Sequence, residues 1–216
     1  SGEEKMSKSK GNILDPLEII NKYGLDPLRY YLIKEVSFGN DGSISQEQLE
    51  KCINSDLANN YGNLCQRVVA FAEKNLNLEI PSSYYFLDED FEVLNKFNDE
   101  YKNLIRFIDN QNINNYVDFV VKQLFIANKY FNDQEPWNKK KDTKRLNTII
   151  FTSLELIRKI SIMLYPIIPD SSLKALSIFN IKEKDVLFES IKNNDFLKKY
   201  KKINKIKILF SKIKHD

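Results

Sequence analysis

The stretch SQEQLEKCINSDLANNYGNLCQRVVAFAEKNL, residues 45–76, decides the architecture. Ser45 is a good helix N-cap, and Gln48, three residues on, is placed as its capping-box partner. Leu49, Ile53, Leu57, Tyr61, Leu64, Val68 and Ala72 then recur at three- and four-residue steps. That spacing lays one apolar stripe along a single long helix running to about Leu76. A stripe of this length has to be covered along its length, and neighbouring helices are the natural cover.

Working outward, the same punctuation recurs. Asp15 caps and Pro16 starts a first helix, with Leu17, Ile20 and Tyr23 as its apolar face and Gly24 as its stop. Asp26 and Pro27 repeat the signal and open a second helix. Gly39 and Gly42 mark turns, with a short extended piece near Ser43 and Ile44. Pro81, Ser82 and Ser83 end the long helix region. Further helices are predicted over 88–109, 113–131, 143–164 and 170–179, punctuated by Pro136, Pro166 and Pro169. The expected fold is mainly all-α: an antiparallel helix bundle preceded by a small α-rich connecting module. The expected division is a connecting module at 1–45, a bundle at 46–190 and a basic tail at 191–216. The tail is expected to pack back through Phe196, Ile203, Leu209 and Phe210 or to form a solvated basic face, the alternative being direct contact of its lysines with RNA.

Composition excludes several kinds of chemistry. The 216 residues carry 33 basic and 30 acidic side chains, a net charge of +3, too small an excess for a histone-like binder. Cys52 and Cys65 stand roughly 20 Å apart on one helix, beyond disulfide reach. His215 is the only histidine, so no Ser-His-Asp triad and no His-based zinc site can be assembled, and no metal site is expected in this chain. No apolar run is long enough to cross a bilayer, and a reduced, cytoplasmic setting is expected. The first methionine is Met6, which favours reading the chain as part of a longer protein.

Three places can carry chemistry. In SGEEKMSKSKGNILDP, residues 1–16, Lys5 and Lys8 offer compact ammonium groups, and Gly11 and the serines let the backbone approach an anion. Composition alone favours a mobile segment there. Asn63 and Arg67 lie four apart, on one flank of the long helix beside its apolar stripe. Asn carries paired donor and acceptor groups and Arg a planar fork, a combination that can read the edge of an unstacked base. Trp137 is the only tryptophan, and a proline holds it at a helix boundary. It is either a core residue or a stacking platform. Lys139, Lys140 and Lys141 follow it, either as a wet loop or as phosphate contacts. Asp88, Glu89 and Asp90 suit a helix N-terminus rather than catalysis.

The order of residues narrows this. KMSKS at 5–9, then GN and DP before a helix, resembles the second signature of the class I aminoacyl-tRNA synthetases. DPLRYYLIKEVSFGNDGSIS (26–45), SDLANNYGNLCQRV (55–68), YFNDQEPW (130–137), YPIIPDSS (165–172) and INKIKILFSKI (203–213) resemble the methionyl family among them. The Pro-Glu-Pro usual before the last of these is absent, and 78–128 carries little family signal. The resemblance implies a C-terminal part of an enzyme that activates methionine with ATP and Mg2+ and transfers it to tRNA(Met). It implies that Lys8, assisted by Lys5, is the catalytic contact to the ATP phosphates, in a loop with Ser7 and Ser9. It also implies that Asn63, Arg67 and Trp137 recognise the anticodon. The family's His-x-Gly-His signature is missing, so this chain alone is expected to be inactive. Any zinc would lie upstream, and a monomer is expected. The rivals are a leucyl, valyl or isoleucyl type of class I synthetase, and a stand-alone RNA-binding helical module.

Overall fold

The structure is a computed structural model in which residues 15–35 and 45–214 are described. Two short helices, α1 (Pro16–Tyr23) and α2 (Leu25–Glu35), lead into a long rod built of three joined pieces. These are α3 (Gln46–Cys52), a π-helical segment (Ile53–Gly62) and α4 (Asn63–Leu76). Then come α5 (Asp88–Asp109), α6 (Ile113–Asp133), a 3-10 turn (Pro136–Asn138), α7 (Thr143–Leu164) and α8 (Pro169–Leu176), followed by short 3-10 turns. The described residues contain no strand, only an isolated antiparallel bridge between Glu79 and Lys202. The all-α bundle expected from the sequence is the fold observed.

The caps explain the starts and stops. Asp15 accepts the Leu17 N–H at 2.9 Å, and Gly24 ends α1 at φ 93°, a conformation that suits glycine. Ser45 accepts the Gln48 N–H, but Gln48 does not complete the expected box. Its side chain takes the Tyr31 hydroxyl at 3.1 Å, and that same hydroxyl receives the Ser45 N–H. Asp26 is also a correction. It lies inside α2 rather than capping it, is buried, and accepts the Ser171 N–H at 2.6 Å. Its carboxylate therefore satisfies a first-turn donor of α8, 145 residues away. The turn signals at Gly39 and Gly42 and the piece near Ser43 and Ile44 fall outside the described residues.

α7 is the axis of the core. Every residue from Arg145 to Leu164 is buried, because α4, α5, α6 and α8 all pack on it. A fully buried helix cannot be amphipathic in the ordinary way, so its charged residues need partners in the interior. Glu155 accepts from the Arg158 guanidinium at 2.6 Å and from the Leu197 N–H at 2.7 Å. Arg158 also donates to the Ser190 and Asn193 carbonyls, and Lys159 donates to the Ile191 carbonyl and Asn194. These bonds fasten the 190–197 segment to α7. The tail then runs beside residues 78–80, with Ile80 N–H to Lys201 O at 2.9 Å and Ile203 N–H to Leu78 O at 2.8 Å. It ends on the rod, where the Asn54 amide exchanges two bonds with the Ile213 backbone. A Cβ at Gly62 would lie only 3.2 Å from the Leu57 carbonyl oxygen and in ordinary contact with the Phe210 ring.

Burial, and next the Arg158 charge, pull the Lys159 ammonium down to about 7 from its usual 10.5. Between these values the unfolded chain binds a proton that the native chain lacks, so stability rises with pH across that window. Cys52 is pushed up to about 12 by burial and then by Asp56, and Cys65 is raised by burial as well. Those thiols hold protons in the native state that the unfolded chain releases above about pH 9, so stability falls again there. The unfolding free energy from urea titrations is therefore expected to rise from pH 7 to 8.5, by at most about 1.4 kcal/mol per pH unit. Lys159→Met should abolish that rise. A variant that keeps it would show that another group titrates in the window.

Candidate nucleic-acid interface

One end of the bundle gathers the residues that the sequence singles out for base recognition. α6 stops at Asp133, and Glu135 takes a left-handed conformation at φ 44°. This reverses the chain, and the turn is closed by Asn138 N–H to Glu135 O at 2.8 Å. Pro136 is buried, which fixes the turn and turns Trp137 outward, 41% exposed. One edge of the indole rests against Phe131, with ring centroids 6.3 Å apart and planes at 75°. Trp137 is thus neither a core residue nor a loose surface one. It is a held aromatic with solvent on the other side.

Phe131 is the hub of the site and is buried. Phe71 meets it edge-on at 6.0 Å, and the Arg67 guanidinium lies 5.4 Å from its ring centre. Arg67 also donates to the Asn132 side-chain oxygen at 2.6 Å. The fork is therefore held over an aromatic and steered from one side, which limits its rotamers before any ligand arrives. Asn63, one helical turn earlier, has an exposed side chain. Asn60 is engaged instead, taking the Asn128 amide on its backbone and side-chain oxygens. The fold thus brings Arg67 and Trp137, 70 residues apart in sequence, onto one phenylalanine.

A buried ionic network backs this surface. Arg145 donates to Asp90 through both arms, at 2.5 and 3.0 Å, and to the Gln134 side chain, next to the turn at Glu135. Asp90 also accepts the Leu87 N–H at 2.8 Å and the Tyr130 hydroxyl. Burial, followed by the Asp90 charge, raises the Tyr130 phenol, so it stays a neutral donor. The acidic run at 88–90 opens α5, and its third member joins α5, α6 and α7 rather than doing chemistry. Lys139, Lys140 and Lys141 are exposed just beyond Trp137, before Asp142 caps α7 by accepting the Arg145 N–H at 3.1 Å.

Phe131 and Asn132 are the members of this candidate site that sequence reasoning missed. Both stand in the quoted run 130–137, but a Phe-Asn pair at a helix end has no local mark of being a platform. Lys5, Ser7, Lys8 and Ser9 lie outside the described residues. Among the described residues no His, Cys, Asp and Glu cluster could hold a metal ion, and no helix is long and apolar enough to cross a membrane.

The chain has counterparts among known proteins. Residues 1–69 match the family described as tRNA synthetases class I (M), and residues 80–216 match the anticodon binding domain of methionyl tRNA ligase. A methionine–tRNA ligase of Brucella suis biovar 1 is 38% identical over 82% of this chain and 35% of its own length. One from Rickettsia felis is 33% identical over 99% of this chain and 42% of its own length. The free Mycobacterium tuberculosis methionyl-tRNA synthetase superposes with a TM-score of 0.87 at 29% identity, over 95% of this chain and 42% of that one. The same enzyme bound by methionyl-adenylate gives 0.86 at 31% identity, over 96% and 42%. The chain thus spans roughly a third to two-fifths of the length of these relatives.

Proposed function

The chain belongs to the methionyl-tRNA synthetase family, and from that premise we propose that it is the tRNA-reading part of a methionine–tRNA ligase. The whole enzyme activates methionine with ATP, with Mg2+ on the phosphates, and transfers the methionyl group to tRNA(Met). Lys5 and Lys8 meet the ATP phosphates and stabilise charge on the departing pyrophosphate, with Ser7 and Ser9 shaping the loop. Residues 1–45 form the connecting module, 46–190 the anticodon-binding bundle and 191–216 its packed basic tail. The enzyme works in the cytoplasm as a monomer.

In this reading Trp137 stacks on an anticodon base while Asn63 and Arg67 hydrogen-bond base edges. The supporting observation is the shared contact of Arg67 and Trp137 with Phe131, which sets a planar fork beside an open aromatic face. Both are held before RNA binds, so little ordering cost falls on association. Base–aromatic stacking contributes about 1–3 kcal/mol per base. Trp137→Ala is therefore expected to weaken binding of a methionine tRNA transcript by roughly 5- to 150-fold at fixed salt. Binding within twofold of the parent would refute the stacking role.

A further inference from the structure

A second surface at the same end of the bundle has a chemistry of its own. Residues 79–84 and 198–202 enclose an open groove of about 680 Å³, whose walls include Tyr84, Tyr200, Lys198, Lys201 and Lys202. The bridge between Glu79 and Lys202 and the bond from Ile80 N–H to Lys201 O fix the two walls relative to each other. Lys198 is fixed too. Its ammonium lies 5.3 Å from the Tyr84 ring centre and 5.8 Å from that of Phe151, and pairs with Asp195 at 2.7 Å. Lys201 and Lys202 are exposed and turn their charges to solvent. Glu79 is the one carboxylate in the walls and, with Lys198 paired to Asp195, is still outnumbered by Lys201 and Lys202.

We propose that this groove is a second RNA site, which takes the phosphodiester backbone of the tRNA outside the anticodon bases. The proposal rests on the anticodon reading given above for Trp137. A groove lined by lysine and tyrosine suits a strand of phosphates with bases or riboses against aromatic faces, and gives little sequence discrimination. Its position fits as well. Lys198 lies over Phe151, and the Asn147 amide donates to the Ser83 carbonyl at 3.0 Å. The groove therefore sits beside the first turns of α7, the end that follows directly from Trp137 and Lys139–Lys141. Thr143 and Phe151 are eight residues apart, roughly 12 Å of helix. A duplex strand covers that in three to four nucleotides. The N-terminal helices attach at the opposite end of α7, where Arg29 holds the Ile167 carbonyl and Asp26 the Ser171 N–H, so they leave the groove open.

The test is the double substitution Lys201→Gln, Lys202→Gln, with Trp137→Ala in parallel. Transcripts of methionine tRNA and of a non-cognate tRNA are titrated against each protein over a range of salt concentrations. The double variant is expected to bind both transcripts about tenfold more weakly at 0.1 M salt, and its salt slope should fall by about 1.5. Its thermal midpoint should stay that of the parent, and Lys201→Arg, Lys202→Arg should restore binding. Unchanged affinity and slope in the double variant, with Trp137→Ala still weakening the methionine tRNA, would overturn this site and leave the anticodon reading standing. Weaker binding with an unchanged slope would also overturn it, because the lysines would then be acting through the fold. If neither variant altered binding, both readings would fail.

Discussion

Asp90→Ala is expected to destabilise the fold by about 3–5 kcal/mol, the usual cost of leaving half of a buried ion pair behind. Asp90 takes both arms of Arg145, the Tyr130 hydroxyl and the Leu87 N–H. Truncation strands all of these donors in a site that is closed to water, since the Asp90 side chain is fully buried and that of Arg145 only 5% exposed. For a chain of this size that corresponds to a fall in thermal midpoint of roughly 10 °C or more. The change should be seen from the turn that carries Trp137 as well. Arg145 also holds Gln134, which precedes the left-handed Glu135, and Trp137 is the only indole in the chain. Its fluorescence should shift to the red in native buffer as the turn loosens. A double variant, Asp90→Leu with Arg145→Met, should recover most of the stability, because removing both charges also removes the unpaired one. A single variant that loses less than 1 kcal/mol would show that water reaches Arg145 and that the network is not closed.

Glu155→Ala should be comparably severe, by about 3–5 kcal/mol, for a related but separate reason. Glu155, Arg158 and Lys159 are all fully buried on α7. With Lys159 shedding its proton near neutrality, Glu155 and Arg158 balance one against one. Deleting the carboxylate leaves the guanidinium with uncharged partners only, the Ser190 and Asn193 carbonyls, the Ser190 hydroxyl and the Phe196 ring. It also removes the acceptor for the buried Leu197 N–H. The second loss gives a local signature. Limited proteolysis should cut the 190–200 segment of the variant in native buffer while leaving the parent intact. Glu155→Gln keeps an acceptor for Leu197, so it should lose stability without that cleavage. Cleavage in both variants, or in neither, would separate the tail from the Glu155 contact.

The helix ends near 88, 143 and 164 were legible because an acidic first turn at Asp88–Asp90, an aspartate at 142 and a proline at 166 punctuate the apolar periods there. Asp142, for example, accepts the Arg145 N–H as a cap should. The π-helical segment was less so, although a trace of it exists. Leu49, Ile53, Leu57 and Tyr61 are spaced by four every time, whereas an α-helix repeats every 3.6. A stripe with that spacing drifts off its face unless the helix unwinds locally, and the unwound piece, Ile53–Gly62, ends one residue before Asn63. Asp26 was misread for a different reason. An Asp-Pro pair looks the same whether the carboxylate caps its own helix or one 145 residues away. At the site, Asn63, Arg67 and Trp137 could be nominated because Asn, Arg and Trp carry visible chemistry. Phe131 could not, since a buried aromatic becomes a platform only through what the fold stacks on it. The charges inside α7 were equally silent, because their partners are mainly backbone groups of a distant segment.

That segment also bears on how the protein is made. α7 becomes the core axis only when the backbone of residues 190–197 arrives to hydrogen-bond its interior charges. During synthesis those groups follow Glu155 by about 40 residues, a lag of roughly 2–8 s at ordinary elongation rates. Throughout that interval the most deeply buried helix among the described residues carries ions it cannot yet bury. The bundle therefore closes late and from its C-terminal side, and a stalled or truncated nascent chain presents an exposed apolar helix to chaperones and proteases rather than a half-built domain.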